Sequence, residues 1–389
     1  MKKFLILLFV IGISAVGSMA QTAEDFYNQG VDKYDAGDLT GSLECYNKCI
    51  ALDSKYEKAF YNRGTIYYKQ KEFKKALADF NKAIELKPTY DIAFNNRGLT
   101  KSKLNDHPGA KADFNKALEI NPSYARAYVN LGLEDEYDRN YDKAIAKYSK
   151  AIEIDPSYKS AYYNRAVAKN SIKDYTGAVA DYSKVIDIEA NNVDAYFNRG
   201  LAYRKLKQFT NGLQDFKKVT ELDATDYEAW NNKGLCSYDL KDYTSALSDY
   251  NKSLQIKPDY SIAYYNRALL KEKTNDLQGA IDDYSKVIAA DPKDADAYYN
   301  RGCNKNDMKD YAGAAADFTK TIEINPNDAD AYYNRALAKS NLNDSNGAIA
   351  DYTKAIELNA KDADAYYNRG NIYRSLKKYK EAISDYNKA

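Results

Sequence analysis

An asparagine returns every 34 residues, at Asn28, Asn62, Asn96, Asn130, Asn164, Asn198, Asn232, Asn266, Asn300, Asn334 and Asn368, without one insertion. That register constrains the fold more than any other feature. At 389 residues the chain would ordinarily suggest two or three domains. A fixed period instead means one supersecondary unit copied along the chain, with each copy burying the apolar face of its neighbour. Counting from Ala23, the remaining residues make ten whole periods and 27 residues of an eleventh. The copies start at 23, 57, 91, 125, 159, 193, 227, 261, 295, 329 and 363.

Taking Glu57 as position 1 and Tyr90 as position 34, one set of apolar residues falls at positions 4, 8 and 11 (Phe60, Gly64, Tyr67). A second falls at 17, 20, 21, 24, 27 and 28 (Phe73, Ala76, Leu77, Phe80, Ala83, Ile84). Both spacings are helical. The polar turn between them ends at position 16, which is aspartate in seven copies: Asp38, Asp106, Asp174, Asp242, Asp276, Asp310 and Asp344. Aspartate there caps the free N–H groups of a second helix, a contribution of about 1 kcal/mol. Six of the seven prolines stand at position 32, where they stop that helix: Pro88, Pro122, Pro156, Pro258, Pro292 and Pro326.

An aromatic at 4, a small residue at 8, Ala at 20, Tyr or Phe at 24, Ala at 27 and Pro at 32 resemble the tetratricopeptide repeat (TPR) family over residues 23–389. The resemblance implies an all-α fold, a right-handed superhelical solenoid of about eleven helix-turn-helix repeats, with first helices lining a concave surface. It implies peptide or protein binding there. Position 7 departs from the family in being mostly Arg rather than Leu, and Trp230 is the one tryptophan at position 4. The clamp for carboxylate tails known in the family needs Lys at position 5 and a basic residue at position 6, and this chain has neither.

Position 6 lies nearly opposite the apolar stripe of the first helix. Asparagine is a mediocre helix former, up to ~0.7 kcal/mol worse than alanine. It is nonetheless kept in all eleven copies while position 2 drifts through Glu24, Lys58, Ile92, Arg126, Ser160 and Asp194. A row of amides, each able to donate and accept, suits the main chain of an extended peptide. It resembles the asparagine ladder in the repeat domain of the protein-glycosylating N-acetylglucosamine transferase. The same amides could equally bond to the adjacent repeat and tie the stack. Tyr61, Tyr163, Tyr265, Tyr299, Tyr333 and Tyr367 at position 5 flank the row, either as ligand contacts or as packing between first helices. Asp296, Asp330 and Asp364 at position 2 hint at a basic or neutral ligand near the last three copies.

Two other polar positions recur. Lysine at position 26 faces away from the core in all eleven copies, often three residues before Glu, and reads as a solvated convex face. Position 7 is Arg in eight copies and Lys233 in a ninth, and position 23 is Asp in nine. The exceptions coincide, Gln29 with Cys45 and Leu131 with Lys147, so the two positions should touch.

Little is available for catalysis: His107 is the single histidine, standing where other copies carry an aromatic, and no glycine-rich phosphate loop breaks the period. No cofactor or metal is expected. Four cysteines, Cys45, Cys49, Cys236 and Cys303, read as small core residues rather than disulfide or zinc partners. The 57 basic and 56 acidic residues leave no electrostatic footprint for nucleic acid.

Lys2 and Lys3, an apolar run from Phe4 to Gly17 and the small residues Ser18 and Ala20 form a signal-peptide pattern over residues 1–20. The run is shorter than the ~20 residues of a spanning helix, so cleavage before Gln21 and release to the periplasm or medium are expected, without stable membrane insertion. The sequence therefore reads as an exported, non-enzymatic TPR scaffold. A structural assembly spacer and the recognition arm of a separate enzyme subunit are the alternatives. The eleventh copy stops at Ala389 without a closing helix, so the expectation is that a partner or self-association covers that end or that the chain is incomplete.

Overall fold

The computed structural model describes residues 21–389; the expected signal segment, residues 1–20, lies outside the described residues. Among the described residues there are 22 helices and no strand, arranged as eleven pairs. First helices have 13 residues, as in Glu57–Lys69, and complete second helices 14, as in Phe73–Leu86. The chain divides into two compact units, one ending at Ile172 and the other Lys173–Ala389, and the border falls inside the fifth pair.

Local chemistry accounts for the helix ends. All seven position-16 aspartates accept a hydrogen bond from the backbone N–H three residues on, for example Asp310 from Gly313 at 3.0 Å and Asp344 from Gly347 at 2.9 Å. Five of the six first helices in the second unit are capped in the same way, by Asn192, Asp226, Asp294, Asp328 and Asp362. The turn closes through position 15, which is left-handed in every copy: Gly37 at φ 83° and ten non-glycine residues near φ 60°, such as Lys71 and Lys241. Only glycine takes that conformation without the ~1–2 kcal/mol penalty of a side chain.

The core repeats with the sequence. The position-24 rings, among them Tyr46, Phe80, Phe114, Phe216, Tyr250 and Phe318, are almost wholly buried, as are the position-20 alanines. Position 8 stays small because a second-helix ring lies against it: a Cβ on Gly98 would come within 2.6 Å of Phe114. Cys45, Cys49 and Cys236 are buried and Cys303 half-buried, and all four are free. Burial pushes the Cys49 thiol up to about 11 and those of Cys236 and Cys303 up to about 12, so they are inert core residues.

The paired positions 7 and 23 do touch. Arg63 donates from Nε and Nη2 to Asp79 at 2.8 and 2.7 Å, and Arg301 to Asp317 at the same distances. The arginines are under a fifth exposed and the aspartates under a tenth. Each guanidinium also lies over the position-4 ring, Arg301 5.5 Å from the centroid of Tyr298. The third nitrogen reaches back to the preceding second helix: Arg63 Nη1 donates to Asn47 at 2.7 Å and Arg301 Nη1 to Ser285 at 2.9 Å. One arginine thus joins both helices of its own repeat to the repeat before.

In the Arg63–Asp79 pair, which has no second cation, removing either member leaves the other largely buried without its ionic partner, a loss of about 3–5 kcal/mol. We expect Arg63→Ala and Asp79→Ala each to lower stability by at least about 3 kcal/mol in urea unfolding. The double substitution should cost less than the sum of the two. Strict additivity would remove the pairing.

Candidate functional site

The asparagine row occupies the second turn of each first helix. Among the described residues, in at least seven copies the Nδ2 group donates to the position-5 side chain of the preceding repeat, 35 residues earlier. Asn62 reaches the Tyr27 hydroxyl at 3.2 Å, Asn96 that of Tyr61 at 2.9 Å, Asn300 that of Tyr265 at 3.0 Å, Asn334 that of Tyr299 at 2.9 Å and Asn368 that of Tyr333 at 2.9 Å. Where position 5 is asparagine, its amide oxygen replaces the phenol: Asn130 donates to Asn95 at 2.8 Å and Asn266 to Asn231 at 2.9 Å. Among the described residues no repeat precedes the first copy, and Asn28 is exposed. Asn164 and Asn232 follow copies with Val129 and Phe197 at position 5, which cannot accept. Asn232 instead donates to the Glu228 carbonyl at 2.9 Å and accepts from Arg204 at 3.1 Å, and Asn198 donates to the Asp194 carbonyl at 2.8 Å.

Of the two roles open to the row, the geometry realises the tie between repeats through the N–H side of the amide. The carbonyl side is differently placed. Among the described residues, the side-chain oxygens of Asn62, Asn266, Asn300, Asn334 and Asn368 receive no hydrogen bond from the protein and are not sealed from solvent.

The position-5 tyrosines are packed as well as hydrogen-bonded. Rings at this position rest on the position-24 ring of their own repeat, Tyr61 on Phe80 at 5.9 Å, Tyr265 on Tyr284 at 5.6 Å and Tyr299 on Phe318 at 5.7 Å between centroids. Burial pushes the phenols of Tyr61, Tyr265, Tyr299 and Tyr333 up, so they remain neutral acceptors for the asparagines. Tyr163 is half-buried, and Tyr367 is the open member at 53% exposed.

His107 stands at the start of its helix as an aromatic would, stacked on Tyr137 at 3.8 Å, with Nδ1 2.7 Å from Glu134. Six of the position-26 lysines form outward pairs with the acid three residues on, as Lys82 does with Glu85 at 2.7 Å. Among the described residues no cluster of His, Cys, Asp or Glu is placed to hold a metal, and no helix is long and apolar enough to cross a membrane.

Two features escape sequence reasoning. Position 25 is Asn, Ser or Thr ahead of all eight arginines at position 7, but Lys217 ahead of Lys233. That correlation identifies the third partner of the arginine, and it was visible in the repeat alignment. Lys233 makes a single bond to Asp249 Oδ1 at 2.9 Å and leaves Oδ2 buried without a partner. The second feature is a half-buried glutamate at position 12 in two copies. Glu272 bonds Asn304, while Glu136 Oε1 and the adjacent Tyr148 hydroxyl are buried with no hydrogen bond. Burial pushes both carboxyls up.

The comparisons with known proteins agree with this architecture. Family models described as tetratricopeptide repeat match residues 57–90, 92–124, 193–226, 227–260, 295–328, 318–350 and 363–389. A model described as TPR repeat matches 30–71, 140–170, 168–207, 273–303 and 341–373. No curated protein matches the chain. Among solved structures, the C-terminal part of a TPR repeat-containing protein from Cytophaga hutchinsonii is 18% identical, with a TM-score of 0.54 over 62% of this chain and 98% of that one. A tetratricopeptide repeat protein from Parabacteroides merdae is 21% identical, with a TM-score of 0.48 over 64% and 98%. YrrB, a TPR protein with an unusual peptide-binding site, is 24% identical, with a TM-score of 0.45 over 48% and 97%.

The tie between repeats predicts a measurable coupling. Tyr299→Phe and Asn334→Ala should each lower the urea midpoint, with a coupling of about 0.5–1.5 kcal/mol in the double-mutant cycle. No coupling would show that the bond is not formed. Glu136 predicts a pH effect of opposite sign to a salt-bridged acid. The unfolded glutamate titrates near 4.5 and the folded one higher, so below 4.5 both states are protonated and nothing is lost. As pH rises through the folded value, the folded state carries the cost of a buried charge. Glu136→Gln should therefore be more stable than the parent at pH 7 and lose that advantage by pH 4.

Proposed function

The chain belongs to the tetratricopeptide repeat family, and from that premise we propose that it is an exported, non-enzymatic scaffold that binds extended peptide or protein segments along the face of its first helices. The observation that carries the reading is the division of labour within the position-6 amide at Asn62, Asn266, Asn300, Asn334 and Asn368. Its N–H side is spent on the preceding repeat, which fixes the orientation of the group. Its carbonyl oxygen is left as an oriented acceptor for a main-chain N–H of a ligand. Four such groups, on Asn266, Asn300, Asn334 and Asn368, stand on consecutive repeats of the second unit. Acceptors repeated in this way hold a peptide by its backbone and leave sequence preference to neighbouring side chains. At position 2 those neighbours include exposed Asp296, Asp330 and Asp364, which favours basic or neutral segments at that end.

Release to the periplasm or medium rests on residues 1–20, and N-terminal sequencing of the native protein should begin at Gln21. The reading of the chain as an assembly spacer gains support from the same bonds, since the tie alone accounts for retention of the asparagines. Affinity capture from the native exported fraction separates the two. The protein should retain peptide or protein ligands that are lost when Asn266, Asn300, Asn334 and Asn368 are changed to Ala. A variant with Tyr265, Tyr299 and Tyr333 changed to Phe loses three of the ties but keeps the amide oxygens, and should capture less than the parent and more than the alanine variant. Identical capture by the alanine variant and the parent would leave the spacer reading standing.

A further inference from the structure

A slot opens between the first two repeats, on the face that carries the asparagine row. It is lined by Val31, Tyr34, Tyr46, Tyr61, Asn62 and Thr65 and has a volume of about 290 Å³. Small-molecule sites run from ~300 to 1,000 Å³, so this one suits a single large side chain. The chain contains its own control. The equivalent slot one repeat on, lined by Thr65, Tyr68, Phe80, Asn96 and Leu99, has only about 50 Å³. The residue closing it is Leu99, at the position where the open slot has Thr65, and leucine also stands there at Leu133, Leu201, Leu235, Leu269 and Leu337. Thr65 therefore leaves room that six other copies fill with leucine.

The lining sets the chemistry of the occupant. Three tyrosine rings and the methyl groups of Val31 and Thr65 provide flat apolar contact, and no lining residue carries a charge. The Lys69 ammonium lies 4.3 Å from the centroid of the Tyr34 ring, which disfavours a cationic guest. Asn62 has both N–H groups committed, to the hydroxyls of Tyr27 and Tyr46, each at 3.2 Å. What it can still offer is its carbonyl oxygen, an acceptor that requires a donor on the guest.

We propose that this slot is an anchor site for one tyrosine or tryptophan side chain of a bound peptide, an uncharged ring carrying a hydrogen-bond donor. The site rests on the peptide-binding reading above and gives it a sequence preference in the first unit.

The test uses blocked amino acids as probes, followed by methyl NMR of Val31 and Thr65. N-acetyltyrosinamide and N-acetyltryptophanamide should bind and shift those signals. N-acetylphenylalaninamide should bind about fivefold more weakly, the effect of one hydrogen bond, and N-acetyllysinamide should not bind. Thr65→Leu, which copies the neighbouring repeats, should weaken the tyrosine probe at least tenfold without lowering the urea midpoint. Val31→Leu fills the slot from the other wall and replaces Thr65→Leu if that variant does not fold. Binding unchanged by these substitutions, equal binding of the lysine probe, or no binding of any probe at millimolar concentration would overturn the proposal. Loss of the slot alone, with capture still dependent on the asparagine row, would leave the peptide-binding reading intact. Probe binding at the slot, with capture indifferent to the asparagines, would remove that reading's main contact instead.

Discussion

The architecture depends on a half-buried arginine at position 7. Its guanidinium has enough donors to hold two carboxylate oxygens of the second helix and still reach the preceding repeat, and it covers the position-4 ring with its flat face. Lysine is no substitute. At Lys233 the single bond leaves one oxygen of Asp249 unsatisfied, and burial pushes that carboxyl up. Hydrophobic packing at positions 8, 20, 24 and 27 provides the driving force for folding. The arginine sets the angle at which one pair meets the next, because its three partners lie on three different helices.

The asparagine row is a second tie of the same kind on the first helices, and it bears on function because it sits at the surface. A side-chain amide has two ends with different chemistry. Spending the donor end on a neighbouring phenol costs an exposed position little and orients the acceptor end. Structural and ligand-binding accounts of the row are thus compatible: the bond between repeats is what makes each oxygen a placed group rather than a mobile one. The tyrosines serve both sides, as packing for the second helix and as acceptors for the next asparagine.

Much of this was legible in the chain because the period allows eleven copies to be compared with one another. The helix boundaries followed from Asp at position 16 and Pro at 32, and the arginine–aspartate contact from the coincident exceptions at Gln29 with Cys45 and Leu131 with Lys147. The direction of the asparagine bond was not legible. It joins position 6 to position 5 of the copy before, and a residue present in every copy cannot covary with anything. The slot beside Thr65 was hidden for a different reason: a cavity depends on volumes missing on two facing helices, which no single position reports. Glu136 was equally hidden, since a charged residue at a mixed position reads as solvated until its oxygen is found buried.

The side-chain amide protons of the position-6 asparagines test the central claim most directly, through their hydrogen exchange resolved by NMR. If each amide is tied to the preceding repeat, Asn96, Asn130, Asn266, Asn300, Asn334 and Asn368 should show a protected Nδ2 proton, whereas Asn28 should exchange freely. Exchange at the rate of Asn28 across the whole row would contradict the tie and, with it, the placed acceptors on which the proposed function rests.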